Sequence, residues 1–196
     1  MWQFLREYLR TPDTIGAIAP SGRHLAASMT ASIDFDKVRC IVEYGAGTGV
    51  FTRDVIARKK RDTIYIVIEQ NGRFYEMLRK QFHGMPGVVL IHGDAGNVCG
   101  LLREQGFQYA DHIISGLPFT SLPRQVSHRI LTQTQKAIGT EGKFTTFQYT
   151  LLRKTFLAHY FNIQGIVRVW RNLPPAYVLH MKPKCRHARQ ISADSA

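Results

Sequence analysis

From Lys37 onward the chain alternates short apolar runs with segments whose apolar residues recur every three to four positions. The runs KVRCIVEY (37–44), TIYIVIE (63–69), VVLIH (88–92), ADHIIS (110–115) and KFTTFQYT (143–150) read as strands. The segments 49–60, 72–83, 97–105, 122–138 and 151–161 read as the helices that follow them. A strand that is apolar at nearly every position has no solvent face, so these runs predict a parallel sheet covered by helices on both sides. Two further strands, IQGIVRVW (163–170) and AYVLHM (176–181), are joined by RNLPP. That connection is too short for a crossover helix and predicts an antiparallel pair. The expected fold is α/β and Rossmann-like: a seven-stranded, mostly parallel sheet with an antiparallel last strand. No internal repeat or linker interrupts it, and the tail from Lys182 reads as loose.

Ahead of the sheet, MWQFLREYLR places Trp2, Phe4, Leu5, Tyr8 and Leu9 on one helical side, with Gln3, Arg6, Glu7 and Arg10 opposite. Two readings of this amphipathic helix stand. It caps the domain's own core, or it lies in a membrane interface with Trp2, Phe4, Leu5 and Leu9 in the apolar layer and Arg6 and Arg10 at the headgroups. Charges interrupt it too often for a signal peptide. No run of about 18 uncharged apolar residues exists elsewhere to span a bilayer. A turn-rich stretch follows Pro12, and Ser21 reads as the N-cap of a short helix.

Charge adds what periodicity cannot. With 26 Lys and Arg against 14 Asp and Glu, the net charge is +12 and the pI about 10.0. Residues 142–193 hold nine basic residues and no acidic one. This asymmetry points to a polyanionic partner, either nucleic acid or an anionic membrane. Cys40, Cys99 and Cys185 have neither disulfide nor zinc spacing, so free thiols in a reducing cytosol and no metal are expected.

The first strand runs into EYGAGTGVF, with Glu43, Gly45, Gly47 and Gly49. In a doubly wound sheet the first strand-to-helix turn binds a nucleotide cofactor, and glycines let the backbone approach it. A dinucleotide fingerprint needs glycine at position 50, where Val50 stands. The spacing is GxGxG behind an acid, which resembles motif I of class I S-adenosylmethionine-dependent methyltransferases. Glu69 closes the second strand, where a carboxylate accepts hydrogen bonds from ribose hydroxyls. HGDA (92–95) follows the third strand. Asp94 there is an adenine contact, with Ala95 supplying backbone, or a helix N-cap.

After the fourth strand comes ISGLPF (114–119). Amino-directed methyltransferases carry an Asn or Asp before this Leu-Pro-Phe, to localise the delocalised lone pair of a planar nitrogen. Here that position is Gly116, and Ser115 is one residue out of register. An aliphatic amine, once deprotonated, is already nucleophilic and needs only positioning. The carbonyls of Gly116 and Leu117 are candidates for that, and Phe119 for cation–π contact with the methylated nitrogen.

IGAIAPSGRHLAASM, VEYGAGTGVFT, IHGDA, ISGLPF, TFQYT and VWRNLPPAYV, in this order, resemble the bacterial phospholipid N-methyltransferases, relatives of the ribosomal RNA adenine dimethylases. The resemblance covers nearly the whole chain. It implies stepwise methylation of phosphatidylethanolamine towards phosphatidylcholine by a peripheral enzyme on the cytoplasmic membrane face, and a monomer with no nucleic-acid partner. It divides the chain into a helical extension (1–32) and one methyltransferase domain (33–196). The implied cofactor set is Ser21, Glu43, Tyr44, Gly45, Gly47, Gly49, Glu69, Gln70, Asp94, Ala95 and Ser115, with Glu43 orienting the methionine moiety. The implied acceptor set is Gly116, Leu117, Pro118, Phe119 and Tyr149. Arg171, beside Pro174, is the candidate for the lipid phosphate, and its alternative is a solvated arginine. Tyr149 and Tyr177 read as an aromatic wall or as core. His24, Tyr149 or water would take the amine proton. Three rivals stand: an RNA adenine dimethylase, a small-molecule amine methyltransferase, and a cofactor-binding scaffold without activity. Gly116 and the lack of a further helical RNA-binding domain weigh against the first.

Overall fold

A computed structural model describes residues 20–184, with side chains from Gly22 onward. The membrane candidates Trp2, Phe4, Leu5, Arg6, Leu9 and Arg10, and the Ser21 side chain, lie outside the described residues. The element order is α1 (Pro20–Thr30), β1 (Cys40–Tyr44), α2 (Val50–Arg58), β2 (Ile64–Glu69), α3 (Gly72–Phe82) and β3 (Val88–His92). Then come α4 (Val98–Glu104), β4 (His112–Ser115), α5 (Arg124–Ala137), β5 (Lys143–Gln148), α6 (Lys154–Tyr160), β6 (Phe161–Val169) and β7 (Ala176–Pro183).

The seven strands form one sheet in the order β3-β2-β1-β4-β5-β7-β6. β1 to β5 pair parallel, and β7 is antiparallel to both β5 and β6. This is the Rossmann-like sheet of class I methyltransferases. Alternate strand residues feed two apolar layers. Val42, Tyr44, Ile66 and Ile68 pack with Val98, Leu102, Ile130, Leu131 and Leu157 of α4, α5 and α6. Ile41, Tyr65 and Val67 pack with Met29, Val55, Leu78 and Phe82 of α1, α2 and α3.

Some boundaries shift. β6 begins at Phe161, two residues before the expected start, because that ring is buried against Phe144 while Asn162 and Gln164 face water. β7 continues to Pro183 instead of ending at Met181, because Asn162 and Phe161 still offer it partners. The chain order reverses between β1 and β4, which opens a crevice at the carboxyl ends of those strands.

Candidate active site

The GxGxG turn leaves β1 through three left-handed glycines, Gly45 (φ 63°), Gly47 (φ 55°) and Gly49 (φ 78°). A Cβ on Gly49 would lie 2.8 Å from the Phe82 ring, so glycine here lets α2 start tight against α3. Glu69, buried at the end of β2, organises the turn. Its Oε2 accepts from the Gly47 N–H at 2.9 Å and its Oε1 from the Asn71 N–H at 2.8 Å. Asn71 in turn caps α3 through the N–H groups of Arg73 and Phe74. The α1 helix closes the other side, since a Cβ on Gly22 would touch Val50 at 3.4 Å.

Glu43 is fully buried on the α2 side of β1. Its Oε2 accepts from the hydroxyls of Thr52 (2.7 Å) and Tyr65, while Oε1 has no partner among the described residues. Burial raises this carboxyl to about 7, and the neighbouring Glu69 adds to the rise. A buried carboxyl oxygen without a partner is a polar group that a ligand can satisfy, with an N–H when the carboxyl is ionised.

Tyr44 and Ser115, among the buried members of the expected cofactor set, are engaged in the core. Tyr44 points into the α5 layer, where its phenol accepts from Thr134, and its carbonyl accepts from the Gly116 N–H at 2.8 Å. Strand alternation puts it on the face opposite Glu43. Ser115 is also fully buried, and its hydroxyl accepts from the Leu117 N–H at 3.2 Å. Asp94 does what an N-cap does, accepting from the Gly96 N–H at 2.7 Å at the head of the short 3-10 turn Ala95–Asn97. Its second oxygen meets Arg129 of α5. Gln70 is exposed at the mouth, and its carbonyl accepts from His92.

The LPF loop is tied down from three sides. A Cβ on Gly116 would lie 2.5 Å from the Gly45 carbonyl oxygen, and one on Gly45 would lie 2.8 Å from Leu117. The two turns therefore interlock, and position 116 has no room for a side chain. The Leu117 carbonyl accepts from Phe119 N–H (3.0 Å) and from Gln148 Nε2 (3.3 Å), so both its lone pairs are taken. Gln148 also accepts from the Thr120 N–H at 3.2 Å, and Arg153 donates to the Phe119 carbonyl at 2.9 Å. Gln148 and Arg153 were not expected at the site. TFQYT and the helix period gave a strand and a helix, with no sign that these two side chains turn back onto the loop.

Phe119 corrects the expected cation–π wall. Its ring is fully buried, edge-on to Phe144 in the core, and offers no surface to an acceptor. An aromatic that anchors a loop from beneath and one that lines it from above look alike in sequence. Of the two expected carbonyls, that of Leu117 is committed to holding the loop.

β5, β7 and β6 bring the remaining candidates to the same end of the sheet. Tyr177 pairs with Gln148 and with Arg168 across the strands. Tyr149 is half-buried against Phe147, and Tyr177 is half-buried beneath the Arg168 guanidinium at 5.3 Å. Arg171 and Pro174 lie exposed in the β6–β7 turn, and Arg171 has no ion-pair partner among the described residues. His24 is exposed on α1. No described helix is long and apolar enough to cross a membrane.

No family model matches the chain. It is 30% identical over 176 residues to an ornithine lipid N-methyltransferase from Singulisphaera acidiphila, covering 88% of this chain and 91% of that protein. Among solved structures it resembles the N-methyltransferase NodS of Bradyrhizobium japonicum, solved with S-adenosylhomocysteine, at a TM-score of 0.65 and 13% identity, over 92% of this chain and 97% of that one. Phosphoethanolamine N-methyltransferase 1 of Haemonchus contortus, solved with phosphoethanolamine and S-adenosylhomocysteine, aligns at a TM-score of 0.69 and 13% identity. That match covers 96% of this chain and half (50%) of the other.

Proposed function

The chain belongs to the family of that ornithine lipid N-methyltransferase, and on that premise we propose that it transfers methyl groups from S-adenosylmethionine to the headgroup amine of phosphatidylethanolamine and its methylated derivatives, towards phosphatidylcholine. The cofactor fits the residues present. Gly45, Gly47 and Gly49 keep the turn free of side chains, and the orphaned Oε1 of Glu43 awaits a donor behind it. Glu69 retains a lone pair on each oxygen for ribose hydroxyls, and Asp94, Ala95 and Gln70 edge the adenine side. S-adenosylmethionine, when bound, supplies a methyl group already activated by a cationic sulfur. The chain's own task is to place the accepting nitrogen in line and exclude water.

The observation that carries the acceptor class is position 116. The Gly45 carbonyl fills the space of a side chain there, so no amide or carboxylate can localise the lone pair of a planar nitrogen. An aliphatic amine needs no such help. It needs one acceptor, the Gly116 carbonyl, and the loss of a proton, because an alkylammonium with a pKa near 10 is charged at neutral pH. His24, Tyr149 or water receives that proton. Arg171, next to Pro174, meets the lipid anion, and Tyr149 and Tyr177 flank the headgroup. The enzyme works as a monomer bound peripherally to an anionic, cytoplasmic membrane face.

A second headgroup is favoured by the relative itself, which is named for ornithine lipid. Ornithine offers an aliphatic amine beside a carboxylate, and the same cation suits a carboxylate or a phosphodiester. The deciding experiment supplies radiolabelled S-adenosylmethionine with vesicles of phosphatidylethanolamine, vesicles of ornithine lipid, a water-soluble amine, or total RNA. Label in phosphatidylethanolamine supports the proposal, and label in ornithine lipid alone replaces the headgroup. Label in RNA adenine or only in the soluble amine overturns the lipid reading.

A further inference from the structure

We propose that the ends of β5 and β6 carry a membrane-docking edge, formed by Leu152, Trp170 and Leu173, that seats the crevice directly on an anionic bilayer. This inference rests on the lipid reading of the site and adds a contact surface separate from residues 1–10. These three side chains are the most exposed large hydrophobics among the described residues, at 86%, 66% and 84%. Chain order does not bring them together, but the sheet does. Gln148, Tyr177 and Arg168 are level across β5, β7 and β6, at roughly 4.8 Å per strand. Leu152 follows the end of β5, while Trp170 and Leu173 stand in the β6–β7 turn, so all three emerge at the end of the sheet that holds the glycine turn. They are shared between two turns, Leu152 on one and Trp170 with Leu173 on the other.

Charge identifies the occupant. The Arg168 guanidinium lies 3.5 Å from the Trp170 ring centroid, and Arg171 and Lys154 are exposed beside the apolar tips. Residues 142–193 contain no acidic side chain. Aliphatic tips, a tryptophan under a cation and further cations at the rim suit the acyl–headgroup boundary of anionic lipid. A second copy of this chain would bring one basic edge against another at a net charge of +12 each. A polynucleotide would leave the leucines without apolar partners.

The chain has two tryptophans, so the full-length Trp2→Phe protein reports from Trp170 alone. With vesicles of phosphatidylcholine and phosphatidylglycerol, Trp170 emission should shift to the blue and be quenched by brominated acyl chains. Phosphatidylcholine alone should do less, and salt should weaken the response. The Leu152→Ser/Trp170→Ser/Leu173→Ser protein should bind these vesicles about tenfold or more weakly, with S-adenosylmethionine binding unchanged. The edge is overturned if Trp170 emission does not move while the protein sediments with vesicles, if vesicles are not bound at all, or if a polynucleotide gives the same shift. A loss of lipid methylation with the Trp170 response intact would instead count against the proposed function alone.

Discussion

On the β1–β2 side of the crevice, Glu69 holds backbone through two N–H groups, while Glu43 holds two hydroxyls and keeps one buried oxygen unpartnered among the described residues. On the β4–β5 side the arrangement is inverted. A glycine forced by its neighbour's carbonyl is flanked by a saturated Leu117 carbonyl, and Gln148, Arg153 and a buried Phe119 hold the loop from behind. The first side presents carboxyl side chains. The second presents shape and one carbonyl. A cofactor rich in donors suits the former, and an amine that needs placement without electronic help suits the latter.

The most severe way to break this contrast is to give the acceptor side a side-chain acceptor. Gly116→Asn introduces a Cβ into a 2.5 Å gap against the Gly45 carbonyl, which cannot move without moving the cofactor turn. Activity on every acceptor should fall by more than about a hundredfold, and cofactor affinity with it. A variant that keeps cofactor affinity and methylates adenine would show the two turns to be independent. Phe119→Ala should act on the fold, lowering stability by about 3–5 kcal/mol in a denaturation experiment. A selective loss of turnover at unchanged stability would return that ring to the acceptor wall.

Next in size is Glu69→Ala, which should reduce cofactor affinity by about 2–4 kcal/mol by calorimetry. Because Gly47 and Asn71 lose their acceptor, the melting temperature should also fall without cofactor present. An unchanged apo melt would mean that the carboxylate serves the ligand alone.

The contrast also explains what could be read from the sequence. The sheet, its antiparallel last strand and the glycine turn were legible, because apolar runs and glycines at fixed offsets follow from backbone geometry. The placement of Glu43 and Glu69 was legible for the same reason, since the strands fix where their carboxyls stand, while their roles toward a ligand belong to the proposal. Tyr44, the residue after Glu43, and Ser115, the partner of Tyr44 on β4, were misread, because one step along a strand reverses the face. Gln148 and Arg153 were invisible, because their partners are main-chain atoms about 30 residues away. The exposed Leu152, Trp170 and Leu173 became a group only once the strand order was known.

A subtler test asks whether burial of Glu43 makes the fold sensitive to pH. Burial raises its carboxyl from 4.5 to about 7. The fold therefore gains from this group below pH 4.5, where folded and unfolded states are both protonated, and loses that gain as pH climbs to about 7. The loss is on the order of 3 kcal/mol. His112, held down to about 3 by burial, works in the opposite sense below pH 6.5 and is common to both proteins compared. Glu43→Gln should therefore lose less stability than the parent between about pH 5 and about pH 8. Parallel slopes would place the titration elsewhere.

The smallest effect belongs to Arg129. Its pair with Asp94 is half-exposed, and such pairs are worth about 0–1 kcal/mol. Asp94 caps the 3-10 turn, and the adenine side that the proposal gives it can be separated from that cap. Arg129→Ala leaves the cap intact, since the Gly96 N–H still meets Oδ1. It frees Oδ2 and removes a cation, so the apo melt should shift little. If Asp94 faces an amino group of the ligand, the freed oxygen becomes the better acceptor, and cofactor affinity should hold or rise slightly. Asp94→Ala should lose the cap, at about 1 kcal/mol, together with the affinity. Affinity that falls in Arg129→Ala as far as in Asp94→Ala would make the arginine the contact and the aspartate its support, reversing the roles at this corner of the site.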